Sequence, residues 1–152
     1  MYVSIRYFTR SGNTKKLADA IGNVLGVPAL PISEKLMTPV DLLFLGGSVY
    51  GGKVDDSLAA FIDELNPEYV KKIAVFSTSA FAKSGFQKIK SLAEAKGIEV
   101  APKNYYCPGK FLFLHQSRPN EEDCKAAALF FVMPICKRRN SENIRQILRM
   151  IN

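Results

Sequence analysis

The chain has 152 residues, 47% hydrophobic and 23% charged, which suits one domain with a real core and excludes a disordered class. No apolar run reaches the length of a bilayer span. The first residues, Met1-Tyr2-Val3-Ser4-Ile5-Arg6, lack a basic region leading into an apolar core, so a cytoplasmic protein without a membrane partner is expected. The net charge of +7 is concentrated in the tail, where Lys137 to Asn152 carry five basic residues and one acid with no interleaved aromatic; a solvated helical face is a better reading there than a nucleic-acid surface.

Tyr2 to Phe8 reads as a strand. Thr14 to Leu25 reads as a helix, with Leu17, Ile21 and Leu25 four apart, Ala20 and Val24 beside them, and Gly26 as its end. Pro28 to Ile32 is a short strand. Asp41 to Gly46 is apolar almost throughout, as a central strand covered on both faces would be. Val54 to Leu65 places Val54, Leu58, Phe61, Ile62 and Leu65 on one helical face, and Pro67 stops it.

Lys72 to Ser77 is the next strand, followed by a helix from Ser84 to Lys96 that Gly97 breaks. Ile98 to Tyr106 is a fifth strand, which Pro102 interrupts or confines to an edge. Asn120 to Val132 starts as a capped helix, with Glu121, Glu122 and Asp123 against its positive end. Ser141 to Ile151 reads as a final helix in the basic tail, 137–152. With no repeat or linker, residues 1–152 form a single domain. Strands alternating with helices imply an α/β fold, a doubly wound five-stranded parallel sheet with helices on both faces. Ligands of such sheets bind beyond the carboxyl ends of the strands, so the loops after strands one, three and four belong together.

The first of these loops is Thr9-Arg10-Ser11-Gly12-Asn13-Thr14, between a strand and a helix head. That end has unpaired N–H groups and a partial positive charge, which suits an anion. Thr9, Ser11 and Thr14 add hydroxyls, Asn13 an amide, and Gly12 a backbone without a side chain in the way. One or two such residues would serve as a plain helix cap; four in six positions favour a phosphate.

This loop resembles the phosphate loop of the flavodoxins, T/S-x-T/S-G-N-T, at the same distance from the N-terminus, and the element order agrees to about residue 132. The resemblance implies the strand order 2-1-3-4-5 and an FMN whose 5′-phosphate is held by Thr9 to Thr14. It implies that Gly47-Ser48-Val49-Tyr50-Gly51-Gly52-Lys53 lies along the flavin ring, with Tyr50 as a stacking cover and Gly51 as a peptide that flips on reduction. It also implies that Thr78, Ser79 and Ala80 meet the other edge of the ring through backbone groups, with Phe81 as a second aromatic wall. A capping turn with Phe81 in the core describes that stretch equally well.

Competing signals are weaker. Gly47 to Lys53 fits seven positions of a nucleotide P-loop, but the eighth is Val54 where a hydroxyl is needed to meet Mg²⁺. Cys107, Cys124 and Cys136 are an odd number without metal spacing, and Cys107-Pro108-Gly109-Lys110-Phe111 reads as a tight turn without a catalytic thiol. His115 is the lone histidine, and there is no G-x-S-x-G elbow.

The function that follows from the resemblance is electron transfer between redox partner proteins. A quinone or small-molecule reductase using FMN and a small-molecule electron acceptor is the alternative, and a flavin-free interaction module is the third reading. The chain is basic where flavodoxins are usually acidic. Weaker repulsion of the reduced, anionic flavin is therefore expected, as is a set of partners other than those that offer basic docking faces.

Overall fold

The computed structural model describes residues 1–50, 53–79, 85–109 and 116–136, with only the backbone described at Val49, Tyr50 and Cys136. In chain order the elements are β1 (Val3–Tyr7), α1 (Asn13–Leu25), β2 (Ala29–Pro31), β3 (Leu42–Tyr50), β4 (Lys53–Val54), α2 (Asp56–Glu64), β5 (Lys72–Ser79), α3 (Phe86–Ala95), β6 (Glu99–Val100), β7 (Tyr105–Pro108) and α4 (Glu121–Cys136). The helix read over 141–151 lies outside the described residues.

The sheet runs β2-β1-β3-β5, with β6 and β7 both pairing parallel to the free side of β5. This is the expected parallel order, with its fifth position filled by two short strands. β5 advances from Lys72 to Phe76 while its neighbour advances from Glu99 to Tyr105, so the neighbour carries a local excess of chain. Pro102 lies in that excess and has no N–H to give a ladder. β4 was not legible in the sequence: it turns back antiparallel on β3, pairing Val54 with Val49 and Lys53 with Tyr50.

Two expected loops begin as strand. β3 continues to Tyr50 and β5 to Ser79, because Gly47, Ser48 and Val49 pair with Ser77, Thr78 and Ser79. A parallel partner satisfies these backbone groups, so their small polar side chains do not end the strand.

Side chains alternate across the sheet. Leu43, Leu45, Ile73 and Val75 meet α2 and α3 through Leu58, Ile62, Phe86 and Ile89. Phe44, Ala74 and Phe76 face the other way, toward α1 and α4, where Leu17, Ile21, Ala127 and Phe131 close the second core. Phe131 sits edge-on to Phe44 at 5.3 Å and to Phe76 at 6.3 Å between ring centres. Gly46 makes this packing fit, since a Cβ there would lie 2.4 Å from the Phe76 ring and 2.9 Å from the Thr14 methyl.

α4 begins as expected at Asn120 and Asp123, which cap it reciprocally: the Asp123 N–H donates to Asn120 Oδ1 and the Asn120 N–H to Asp123 Oδ2, both at 2.9 Å. The helix then runs past Val132, through Pro134, to Cys136. Arg6 is a buried cation in the middle of β1. Its Nε donates to the Glu34 carbonyl at 2.6 Å and its Nη2 to that of Lys35 at 3.1 Å, which ties the stretch after β2 to the sheet.

Candidate phosphate crevice at the head of the first helix

At the C-terminal end of the sheet the chain leaves β1 and turns into α1 over Thr9 to Gly12. Gly12 takes φ 82°, the left-handed region that glycine enters without strain, and it is the N-cap of α1. The cap position is thus held by a residue with no side chain to cap with. First-turn amides of a helix have no acceptor within it, and the positive end of the α1 dipole lies at this turn. Thr9 braces the turn, its Oγ1 accepting from the Gly12 N–H at 3.0 Å.

Thr14, in the first turn of α1, is fully buried. Its hydroxyl lies 2.7 Å from Ser48 Oγ and 2.8 Å from Thr78 Oγ1, and Ser48 Oγ in turn donates to the Phe8 carbonyl at 3.3 Å. Three hydroxyls from α1, β3 and β5 thereby lock the helix head onto the two central strands. Asn13 and Ser79 are buried as well. The Ser79 carbonyl accepts from the Gly109 N–H at 3.0 Å and from the Tyr106 hydroxyl at 3.2 Å, bringing the end of β7 into the same place. Gly109 approaches so closely that a Cβ there would lie 2.9 Å from Asn13 Nδ2.

Arg10 and Ser11 are exposed on the rim. The Arg10 guanidinium pairs with the Asp55 carboxylate, which also accepts from the Ser57 N–H at 2.9 Å as the N-cap of α2. Partial burial pulls the Asp55 carboxyl upward, but the Ser57 amide and the Arg10 guanidinium outweigh it and hold the group below the usual carboxylate range. The cation of the first loop therefore has a counter-ion at the head of α2.

Of the residues singled out in the sequence, the structure gathers Thr9, Gly12, Asn13, Thr14, Ser48, Thr78 and Ser79 around one crevice. Val49 and Tyr50 end β3 beside it, and Arg10 and Ser11 sit at its edge. Gly51, Gly52, Ala80 and Phe81 lie outside the described residues. So do Lys110, Phe111 and His115. Asp55 and Tyr106 were missed, and Gly109 was read as part of a tight turn, with a rim near the flavin as the lesser alternative. Asp55 showed only the signal of a helix cap and Gly109 that of a turn after proline, and neither signal names the residue it meets.

The P-loop reading does not fit the described residues, because Gly47 to Tyr50 are strand, Gly47 to Val49 laddered on β5, and Lys53 pairs back antiparallel on β3. Burial, with Asp123 adding to it, pushes the Cys107 thiol up to about 12, so at neutral pH it stays protonated and inert. Among the described residues no three of His, Cys, Asp and Glu gather to hold a metal, and no helix is long and apolar enough to cross a membrane.

The sequence matches the flavodoxin domain family over residues 4–105. An uncharacterized protein of Methanocaldococcus jannaschii is 34% identical over 131 residues, covering 78% of this chain and 87% of its own. A flavodoxin from the domain Archaea has the same fold, with a TM-score of 0.62 at 19% identity over 84% of this chain and 92% of its own. So does a flavoprotein of Lactobacillus acidophilus, solved in complex with FMN, with a TM-score of 0.57 at 18% identity over 69% of this chain and 91% of its own.

Proposed function

The chain belongs to the flavodoxin domain family, and from that premise we propose that it binds FMN noncovalently and passes electrons between larger redox proteins. The observation that carries this reading is the fully buried Thr14 hydroxyl, joined to Ser48 and Thr78 beneath a helix head whose N-cap is a glycine. The residues present fit the group. A dianionic phosphate needs several fixed donors and a positive potential, and the first-turn amides, the nearby hydroxyls and the α1 dipole supply them without a lysine.

When bound, FMN supplies reversible one- and two-electron transfer, and the protein supplies position and electrostatics. Thr9, Ser11, Asn13 and the first-turn backbone amides hold the phosphate, the Thr14 hydroxyl fixes the helix head beneath it through Ser48 and Thr78, and Gly12 keeps the approach open while Arg10 ties the loop to α2 through Asp55. Ser48 to Gly52 on one side and Thr78 to Phe81 on the other seat the ring, and none of them needs to act as an acid or a base. Lys53, exposed next to Tyr50, contributes positive potential beside the site.

Titration of the purified protein with FMN tests the reading. Quenching of flavin fluorescence at equimolar FMN is expected, and Thr14→Val should weaken binding about tenfold by removing a buried hydroxyl partner. Lys53→Glu should lower the potential of full reduction. Failure to take up FMN at any concentration would leave a scaffold without a flavin. Sustained turnover of NAD(P)H with a quinone would make the protein a reductase rather than a carrier.

A further inference from the structure

The turn from Thr9 to Thr14 holds a single charged residue, Arg10, and Lys15 and Lys16 follow it at the start of α1. Cations at a helix head oppose the positive end of its dipole. They also draw in any polyanion, because Coulomb attraction reads charge and not shape. Two of the three are met by carboxylates. Lys15 Nζ donates to Asp19 Oδ2 at 2.6 Å, which lies one turn further along α1 and so away from the head. Arg10 pairs with Asp55, which stands on a different element. Lys16 is exposed.

The two pairs are not equal. The Lys15 and Asp19 side chains are 52% and 42% exposed, where water and salt screen the charges and the pair holds little. The Asp55 side chain is 6% exposed. Its Oδ1 accepts from the Ser57 N–H at 2.9 Å, so α2 fixes the carboxylate and the carboxylate fixes Arg10. The turn has other braces: Thr9 Oγ1 accepts from the Gly12 N–H, and the hydroxyls of Thr14, Ser48 and Thr78 hold the helix head. What Asp55 adds to the turn above all is its charge.

We propose that Asp55 is a specificity-determining residue of the phosphate turn: by cancelling Arg10 it makes the turn select an anion by the number and placement of neutral donors and not by charge. The inference rests on the reading of this turn as a phosphate site. In a chain of net charge +7, an uncancelled arginine at that mouth favours pyrophosphate and nucleoside polyphosphates, which carry more charge than the phosphate monoester of FMN. A fixed set of neutral donors matches one phosphate group and gives the further charge of a polyanion no partner.

Asp55→Asn removes the charge and keeps the cap, since asparagine caps a helix as well as aspartate. Arg10→Gln makes the opposite change, and the double variant restores the balance. Inorganic pyrophosphate is the probe, measured by calorimetry on the full chain without flavin and by competition against FMN. At low salt Asp55→Asn should bind pyrophosphate roughly tenfold tighter than the unmodified chain and FMN only about threefold tighter. Both gains should shrink severalfold at high salt, a response that a merely structural role does not produce. Arg10→Gln should weaken both anions, pyrophosphate more, and the double variant should return their ratio to that of the unmodified chain.

An FMN-to-pyrophosphate ratio that does not move in Asp55→Asn overturns the proposal and leaves the pair a structural tie. So does an equal loss of both anions, or a change of ratio that the double variant fails to reverse. A chain that takes up no FMN while its pyrophosphate affinity follows the charge cycle sinks the flavin reading and sustains the role of Asp55. Binding of neither anion to any variant overturns both.

Discussion

Ser77 and Thr78 are neighbours on β5, 1% and 3% exposed, yet they stand in opposite surroundings. Thr78 points toward α1, and its hydroxyl is held 2.8 Å from that of Thr14. Ser77 points toward the α2–α3 core, where its Oγ has no hydrogen-bond partner among the described residues. On the Thr78 face the surface changes from apolar to polar within one pleat, from Phe76 under Phe131 to Thr78 under the head of α1. Burial of a hydroxyl therefore marks nothing by itself. What marks the crevice is that partners from three separate elements meet there, while the Ser77 hydroxyl on the opposite face has no hydrogen-bond partner among the described residues.

Four measurements sharpen or break this contrast. Phe131→Ala empties the centre of the α1–α4 core and should lower unfolding free energy by about 3–5 kcal/mol in urea titrations, while the molecules that remain folded keep their FMN affinity. Equal loss of both would mean that core and crevice are not separable. Thr14→Val strands the hydroxyls of Ser48 and Thr78 and should destabilise the fold by about 1–3 kcal/mol besides weakening FMN. An unchanged stability would show that the three hydroxyls are not a network.

Asp123 supplies the third test. Its pairing with Arg118, and then the Asn120 amide, holds the carboxyl below its ordinary value of 3.8 against the opposing effect of burial. A depressed carboxylate stabilises the fold fully above that value and loses its contribution as pH falls below it. The unfolding free energy from urea titrations should therefore drop below pH 3.8, by about 1 kcal/mol for a lost helix cap, and Asp123→Asn should flatten that part of the curve. Ser77→Ala is the smallest change. Removing an unpaired buried hydroxyl should leave stability within about 0.5 kcal/mol or raise it. A clear loss would show that Ser77 has a partner and that the two faces are alike.

Much of the fold was legible because it is local. The 3.6-residue stripe of Leu17 and Ile21, the apolar run from Leu42, and the reciprocal cap of Asn120 and Asp123 each act through neighbours in sequence. The strand ends were not. Nothing local shows that Gly47 to Val49 remain strand, because the partners that satisfy them, Ser77 to Ser79, lie thirty residues away. The turn back into β4 was hidden for the same reason.

The candidate crevice divides the same way. A donor-rich turn before a helix, with Gly12 where a left-handed backbone is needed, was determined by the sequence alone, since composition and local backbone preference are properties of adjacent residues. Only the tertiary structure decided that Thr14, Ser48 and Thr78 share hydrogen bonds, that Asp55 answers Arg10, and that Gly109 closes against Asn13. Those contacts are set by how helices and strands pack across the sheet, and hydrogen-bond geometry a few tenths of an ångström wide is specified by that packing and not by spacing along the chain.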